Sequence, residues 1–353
     1  MISNLKTPGV YIEEKNAFPN SIVQVPTDLP VFIGYTEKAL WNEVSVKNKL
    51  ILISSMNEYQ SIFGGYAEVS PILNEYQSSP ATKESMNDFT LNGKDYSIEL
   101  NGLFHLYNSL QLFFANGGSR CYILSIGTYE SEGSNGPNIQ HFETMSEQGV
   151  GGVFDFLKTQ VEPTMILIPD ALLFSESDDY YNLMNSSLSH CGEVKSRISL
   201  MDVFHGNLID DISVFKTKQI AGEDPVSMLR AKINSQYLSY GAAYFPFVNS
   251  DIVSINQINL SALIKEFTQK FKDEDKVTAK KIDKTLSILE NELANALLES
   301  TPVLMEAAKE KAYAKAHTTI LAISSNYKIL VQSVLKKINC LPIFQPTKSQ
   351  QLL

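Results

Sequence analysis

The sequence contains little of what marks a disulfide-rich, membrane-spanning or secreted protein. Its three cysteines, Cys121, Cys191 and Cys340, form no CxxC pair and no regular framework. The longest apolar runs, residues 165–168 and 171–174, are far shorter than the roughly 20 residues that a membrane-spanning helix needs. The amino terminus lacks a basic start followed by an apolar stretch, so we expect no secretory signal. These features predict a soluble, cytosolic protein without disulfides.

Positive charge is also scarce in this chain. It has 29 lysines and arginines against 39 acidic residues, which gives a net charge of −10. A protein that binds a nucleic-acid duplex needs clustered basic side chains to neutralise the phosphates. We therefore expect no nucleic-acid partner.

The motifs that carry cofactor or metal chemistry are missing as well. A phosphate-binding loop runs from a strand through glycines into a helix, whereas Asn116-Gly117-Gly118 follows a predicted helix and leads into a strand. The glycines within residues 148–152 have no apolar strand before them, and no Gly-x-Ser-x-Gly sequence occurs. No two of the five histidines have the i, i+4 spacing of a helical zinc site: His105, His141, His190, His205 and His317. We therefore expect no cofactor, no metal and no constellation for catalysis.

The order of apolar segments predicts the fold class. Short strands that are apolar on both faces alternate with helices, which is typical of a sheet covered on both sides. The predicted strands are residues 31–35, 121–126, 164–169, 197–204 and 240–248, and the predicted helices are residues 103–113, 175–189 and 224–233. Asn92-Gly93 predicts a tight hairpin turn within residues 88–100, and residues 128–151 are predicted to be an exposed loop. We predict an α/β fold with a mainly parallel or mixed sheet flanked by helices.

Composition divides the chain into four parts. We predict an extended N-terminal arm at residues 1–30, an α/β core and outer domain at 31–250, a helical segment at 251–341 and a polar tail at 342–353. In the helical segment, apolar residues recur every three or four positions on one helix face, namely Ile282, Leu286, Leu289, Leu293 and Leu297. Thr301-Pro302 is a typical helix start, so we expect an added helical hairpin.

The arm has an unusual proline pattern. Four prolines exclude a helix from it: Pro8, Pro19, Pro26 and Pro30. Between them lie two short β-prone pieces, one with Val10, Tyr11 and Ile12 and the other with Ile22, Val23 and Val25. Such an arm either packs on its own subunit or adds a strand to the sheet edge of another chain. The residues alone leave both possibilities open.

Two other functions are compatible with the sequence. Asp170 and Asp202 follow or end apolar strands, where many α/β enzymes place catalytic groups. One alternative is therefore a cytosolic α/β enzyme with a strand-end carboxylate, although polar residues at such positions also end strands and cap helices. The other alternative is a scaffold that binds partners through its helical segment only.

Three segments of the chain carry a family resemblance. Residues 7–14 read TPGVYIEE, residues 25–36 read VPTDLPVFIGYT, and residues 113–124 read FFANGGSRCYIL. They resemble the tail sheath proteins of contractile phage tails and of phage-tail-like extracellular injection systems. The resemblance covers about residues 1–342 and does not include the C-terminal, tube-facing domain of that family. A shortened product, a specialised paralogue and a sheath completed by another chain all remain open.

The resemblance implies a structural and non-enzymatic function. Sheath subunits of this family polymerise around an inner tube on a baseplate and contract to drive the tube through a target envelope. The implied partners are other copies or paralogues of the sheath subunit, the inner tube protein, and baseplate and terminator proteins. The implied location is the bacterial cytoplasm during assembly and then the contractile particle. In the family the N-terminal arm links neighbouring subunits by strand addition, which implies that role here for Val10, Tyr11, Ile12, Ile22, Val23 and Val25.

Overall fold

The computed structural model describes residues 28–76, 88–144, 151–211, 216–217, 224–271 and 275–342. The strands are β1 (Pro30–Thr36), β2 (Leu40–Trp41), β3 (Val44–Ser45), β4 (Leu50–Ile53), β5 (Ser70–Tyr76), β6 (Phe89–Leu91), β7 (Lys94–Asn101), β8 (Cys121–Thr128), β9 (Met165–Leu167), β10 (Ile198–Asp202), β11 (Ile209–Asp211), β12 (Lys216–Thr217), β13 (Gly241–Tyr244), β14 (Val248–Asn249) and β15 (Cys340–Leu341). The α-helices are α1 (Met56–Phe63), α2 (Leu106–Ala115), α3 (Gln140–Glu143), α4 (Val153–Lys158), α5 (Ser177–Val194), α6 (Pro225–Lys232), α7 (Leu260–Lys270), α8 (Lys276–Ala296), α9 (Pro302–Ile323) and α10 (Ser325–Ile338). None of the helices within these ranges is long and apolar enough to cross a membrane.

A six-stranded sheet forms the centre of the α/β part. Its strand order is β13-β10-β9-β1-β8-β4, and every neighbouring pair is parallel except β4 with β8. All seven residues of β1 are buried, because side chains on both faces of the strand pack against covering elements. Val31, Ile33 and Tyr35 join one core cluster and Phe32 joins the other, as the two-residue period of a strand requires. The predicted α/β class with a mainly parallel sheet is confirmed.

Some predicted elements occur at their predicted positions, and others differ from the prediction. The β6–β7 hairpin turns at Asn92 and Gly93, whose φ angles are 52° and 76°, the left-handed values that a tight hairpin turn demands. The predicted strand 240–248 is wrong in its length, since β13 ends at Tyr244 and β14 begins at Val248. Residues 128–151 are not simply an exposed loop, because α3 lies within them and packs the side chain of Phe142 into the core.

A second core joins two segments that are distant in the sequence. The antiparallel sheet β5-β7-β6 packs against helices α7 to α10, and both contribute side chains to one apolar cluster. The Leu73 N–H donates to the Glu266 carboxylate at 3.0 Å, and the Val69 N–H donates to the carbonyl of Gln257 at 2.8 Å. The hairpin sheet and the helical segment therefore form one packed body.

The two ends of the helical segment lie side by side. Val248 and Asn249 of β14 pair antiparallel with Leu341 and Cys340 of β15. Asn339 closes this junction, since its side-chain amide oxygen accepts the Val253 N–H at 2.9 Å. The expected hairpin corresponds to α8 and α9, and α7 and α10 pack against it.

One residue of the predicted apolar face of α8 lies elsewhere. Ile282 and Leu289 are buried, and Leu286 and Leu293 pack partly against the same core. Leu297, however, is 63% exposed, because the helix ends at Ala296 and the chain turns away from the core. The expectation for Leu297 is therefore wrong.

Candidate functional site

Asp170 lies at the carboxyl end of the sheet, in the turn that follows β9. Its side chain is completely buried. One carboxylate oxygen accepts the Tyr35 N–H at 2.8 Å. The other accepts two N–H groups at the start of α2, from His105 at 2.7 Å and from Leu106 at 3.0 Å. Asp170 therefore ties three separate segments together: the end of β1, the start of α2 and its own turn.

The electrostatics of Asp170 follow from this position. Burial raises the pKa of Asp170 to about 6, while the three N–H donors act in the opposite direction. The first N–H groups of a helix favour a negative charge, and here the protein supplies that charge itself. Gly34 makes the close approach possible, because a Cβ atom there would lie 2.3 Å from a carboxylate oxygen of Asp170.

This arrangement fills the place where many α/β proteins bind ligands. In open α/β sheets the ligand crevice lies outside the carboxyl ends of the strands, often at a helix N-terminus. In this protein the Asp170 side chain occupies the N-terminus of α2 and also bonds to the carboxyl end of β1. The geometry is suited to holding the fold together.

Asp202 ends the neighbouring strand, β10, and its side chain is also completely buried. Its main-chain carbonyl accepts the hydroxyl proton of Tyr180. The Tyr180 ring stacks on Phe204 with a centroid separation of 5.1 Å. The sequence therefore located both carboxylates correctly at strand ends, and the structure encloses both in the core.

The histidines form no candidate metal centre. No group of three or more His, Cys, Asp or Glu side chains within the described ranges is arranged to hold a metal ion. Burial lowers the pKa of all five imidazoles, and it lowers the pKa of His105 and His190 to about 4. His141 interacts with the Tyr35 hydroxyl at 2.6 Å, and His190 with Arg197 at 3.3 Å. These imidazoles are neutral at pH 7 and belong to the packing.

The predicted arm residues lie outside the described ranges: Val10, Tyr11, Ile12, Ile22, Val23 and Val25. The structure does describe where the arm joins the domain. The Leu29 N–H donates to the Thr164 hydroxyl at 3.0 Å, and the Thr164 N–H donates to the Leu29 carbonyl at 2.9 Å. The chain thus enters at the amino end of the central strand β1, where it is fixed beside β9.

Two of the segments that carry the resemblance are neighbours in space. Residues 25–36 end in β1, and residues 113–124 comprise the end of α2, a turn and the first half of β8. The two strands pair in parallel, with Val31 opposite Tyr122. Glycines make the turn possible, because Gly117 has a φ of 89° and a Cβ on Gly118 would lie 2.4 Å from the Phe113 ring.

An open groove of about 750 Å³ lies near the carboxyl edge of the sheet, and sequence reasoning missed it. Glu37, Glu68 and Glu130 line it together with Tyr66 and Phe104. The carboxylates favour cations over anions at this surface. Its walls come from five separate stretches of the chain, so no local pattern could have indicated it.

Comparison with known proteins gives matches among solved structures only. No protein-family model and no curated protein sequence matches the chain. A chain from the baseplate of the anti-feeding prophage in its contracted state is 18% identical, with a TM-score of 0.41 over 72% of this chain and 50% of that one. A chain from the helical sheath of the same prophage, also contracted, is 19% identical, with a TM-score of 0.32 over 70% of this chain and 46% of that one. The protein thus spans about half the length of either chain.

Proposed function

We propose that this protein is a structural subunit of the sheath of a contractile, phage-tail-like injection apparatus. It polymerises around an inner tube and contracts to drive that tube through a target envelope. The observation that carries the proposal is the placement of the resembling segments. Residues 25–36 and 113–124 form the adjacent strands β1 and β8 at the centre of the sheet, with the arm attached at the start of β1.

The described architecture supports the mechanical part of this proposal. Contraction moves subunits as nearly rigid bodies between two lattices, so each body must hold its shape. The central sheet is covered on both faces, and Asp170 joins three segments across its carboxyl end. The links between bodies must survive the change of lattice, which favours extended connections over large rigid interfaces.

The proposed links are the two apolar pieces of the arm, which add as strands to a neighbouring copy or to a sheath paralogue. They contain Val10, Tyr11, Ile12, Ile22, Val23 and Val25. Main-chain hydrogen bonds contribute about 1 kcal/mol each and sum along an edge strand. Further proposed partners are the tube, baseplate and terminator proteins, with assembly in the bacterial cytoplasm and a final place in the contractile particle.

The enzyme alternative has less support from the site geometry. Asp170 uses both carboxylate oxygens to accept backbone N–H groups, and the Asp202 side chain is completely buried. A catalytic carboxylate must reach a substrate proton or carbon within hydrogen-bonding distance. Neither side chain is exposed to solvent, so neither is positioned to do so.

The arm provides the test. A full-length chain carrying Val10→Asp and Ile12→Asp is co-expressed with the tube and baseplate proteins of its contractile system. Particles are pelleted and probed for the chain. Wild type is expected in the particle fraction, and the double variant is expected to be reduced at least roughly tenfold there, because two charges on one face of a strand oppose pairing.

The matched control is Asn4→Asp with Asn16→Asp, which adds the same charge at polar arm positions. It is expected to enter particles as wild type does. Wild-type chain that stays out of the particle fraction would contradict the sheath proposal. If the variant with Val10→Asp and Ile12→Asp enters particles normally, the proposed role of the arm is contradicted, but the sheath proposal is not.

A further inference from the structure

The end of the α8–α9 hairpin exposes a compact set of large aliphatic side chains. The exposed fractions are 63% for Leu297, 83% for Leu298, 78% for Val303 and 51% for Leu304. Single exposed apolar residues are common on protein surfaces, but several within eight positions of one turn form a patch of the kind that marks a contact site. We call these four residues the hairpin tip.

A cavity of about 280 Å³ lies elsewhere on the molecule, beside β13 at the edge of the main sheet. Its walls are mainly apolar and include Leu188, Met201, Leu229, Ile233 and Leu238. Within the described part of the chain, β13 pairs only with β10. The cavity is larger than the roughly 150 Å³ that suffices to hold a benzene molecule, so it has room for a leucine side chain. We call it the edge cavity.

The two features also carry opposite charges. Glu299 directly follows Leu298 in the hairpin tip, and Arg230 is an exposed residue that lines the edge cavity. None of the ion pairs found among the described residues includes Glu299 or Arg230. Complementary charges fix the register of a contact and suppress wrong partners.

We infer that the hairpin tip of one copy binds the edge cavity of a second copy, with Leu298 inserted between the apolar walls and Glu299 paired with Arg230. Leu298 is 83% exposed, so it does not fill a cavity of its own chain. The second copy is favoured over an anionic lipid surface because the tip carries a carboxylate and no basic residue between positions 297 and 304.

The contact has a consequence for assembly. Donor and acceptor are different surfaces, so the contact is heterologous and leaves one tip and one cavity free at the two ends. Repetition of such a contact gives an open helical filament unless the rotation happens to close a ring. The inference deepens the proposed sheath function by adding a side-chain link between copies that is independent of the arm.

Charge reversal in the full-length chain tests the contact. Self-association is measured by sedimentation velocity over a range of concentrations. Glu299→Arg and Arg230→Glu are each expected to weaken association at least roughly tenfold, since like charges then face each other. The double variant is expected to associate as wild type does, and so is an equimolar mixture of the two single variants. Glu290→Arg, an exposed position on α8, is the matched control and is expected to have no effect.

The apolar part is tested by Leu298→Asp, with Val161→Asp as its control because Val161 is 86% exposed on another loop. Leu298→Asp is expected to weaken association as strongly as the charge reversals, and Val161→Asp to leave it unchanged. A monomeric wild type, or tip variants that associate normally, would overturn the inference. So would an effect of Arg230→Glu without one of Glu299→Arg, which would mean that another segment fills the cavity.

The arm variant Val10→Asp with Ile12→Asp separates this inference from the proposed function. Loss of association by the tip variants alone supports the tip contact. Loss of association by the arm variant alone overturns the tip contact and leaves the sheath proposal intact.

Discussion

At the scale of single residues, Asp170 is a buried side chain that joins three segments of the chain. Its carboxylate accepts N–H groups from Tyr35, His105 and Leu106 in a completely buried site. Asp170→Asn would replace one acceptor oxygen with an NH2 group that faces an N–H donor. We expect a loss of about 1–3 kcal/mol in the free energy of unfolding, which is the cost of an unsatisfied buried group.

Urea unfolding at pH 7 measures this loss. The matched control is Asp251→Asn, since Asp251 is exposed and lies outside the helices and strands. We expect the control to change the free energy by no more than about 0.5 kcal/mol. Equal effects of the two substitutions would mean that the three hydrogen bonds contribute nothing to stability.

His105 gives a prediction for pH dependence. Burial lowers the pKa of His105 to about 4, and its Nδ1 atom has no hydrogen-bond partner. An unfolded chain takes up a proton on this residue below about pH 6.5, whereas the folded chain does so only near pH 4. Histidine 105 therefore lowers stability as the pH falls through this window, by about 2 kcal/mol at pH 5.

Replacement by leucine removes this titration. His105→Leu is expected to unfold within about 1 kcal/mol of wild type at pH 8. Between pH 8 and pH 5, the free energy of unfolding of the variant should rise by about 2 kcal/mol relative to that of wild type. The reason is that only the wild type loses stability through the titration of this residue. Urea unfolding at the two pH values gives the difference directly. A difference between the two proteins that does not change with pH would contradict the neutral, buried state of His105.

At the scale of elements, the start of α9 rests on a single cap. The Thr301 hydroxyl accepts the Leu304 N–H at 3.3 Å, and Pro302 occupies the first helical turn. Thr301→Ala is expected to lower the free energy of unfolding by about 1 kcal/mol, which is typical of a lost cap. Thr301→Ser keeps the hydroxyl and should stay within a few tenths of wild type. Thermal or urea unfolding that ranks serine with alanine would show that the cap is not formed in solution.

The elements also show which features of the fold can be predicted from the sequence. Local signals identified β1, the Asn92-Gly93 turn and the start of α9 at Thr301, because each depends on residues within one short window. The packing of the β5–β7 sheet on α7 to α10 depends on contacts between segments nearly 200 residues apart, such as that of Leu73 with Glu266. No local period contains that information.

The candidate site was also predictable from the sequence only in part. Its location at strand ends was predictable, since Asp170 follows an apolar run. The use of its carboxylate was not, because the three N–H donors come from two other segments of the chain. The hairpin tip was even misjudged, since Leu297 continues the apolar spacing of α8 but lies beyond the helix end.

At the scale of the whole molecule, the proposed function assigns rigidity and linkage to different parts. The main sheet and the helical segment are each built around packed apolar clusters, and the chain enters at Leu29 beside β9. In the proposed account these bodies keep their shape during contraction, while the arm and the hairpin tip connect them to neighbouring copies. Folding and assembly thereby depend on different residues.

The most direct measurement is electron cryomicroscopy of particles assembled from this chain together with the tube and baseplate proteins of its system. We expect density for the six-stranded sheet and the helical segment to repeat along the tube, with the chain upstream of Leu29 continuing into a neighbouring copy. Tubes that form without any repeating density for this fold, while the chain remains soluble and single, would contradict the account.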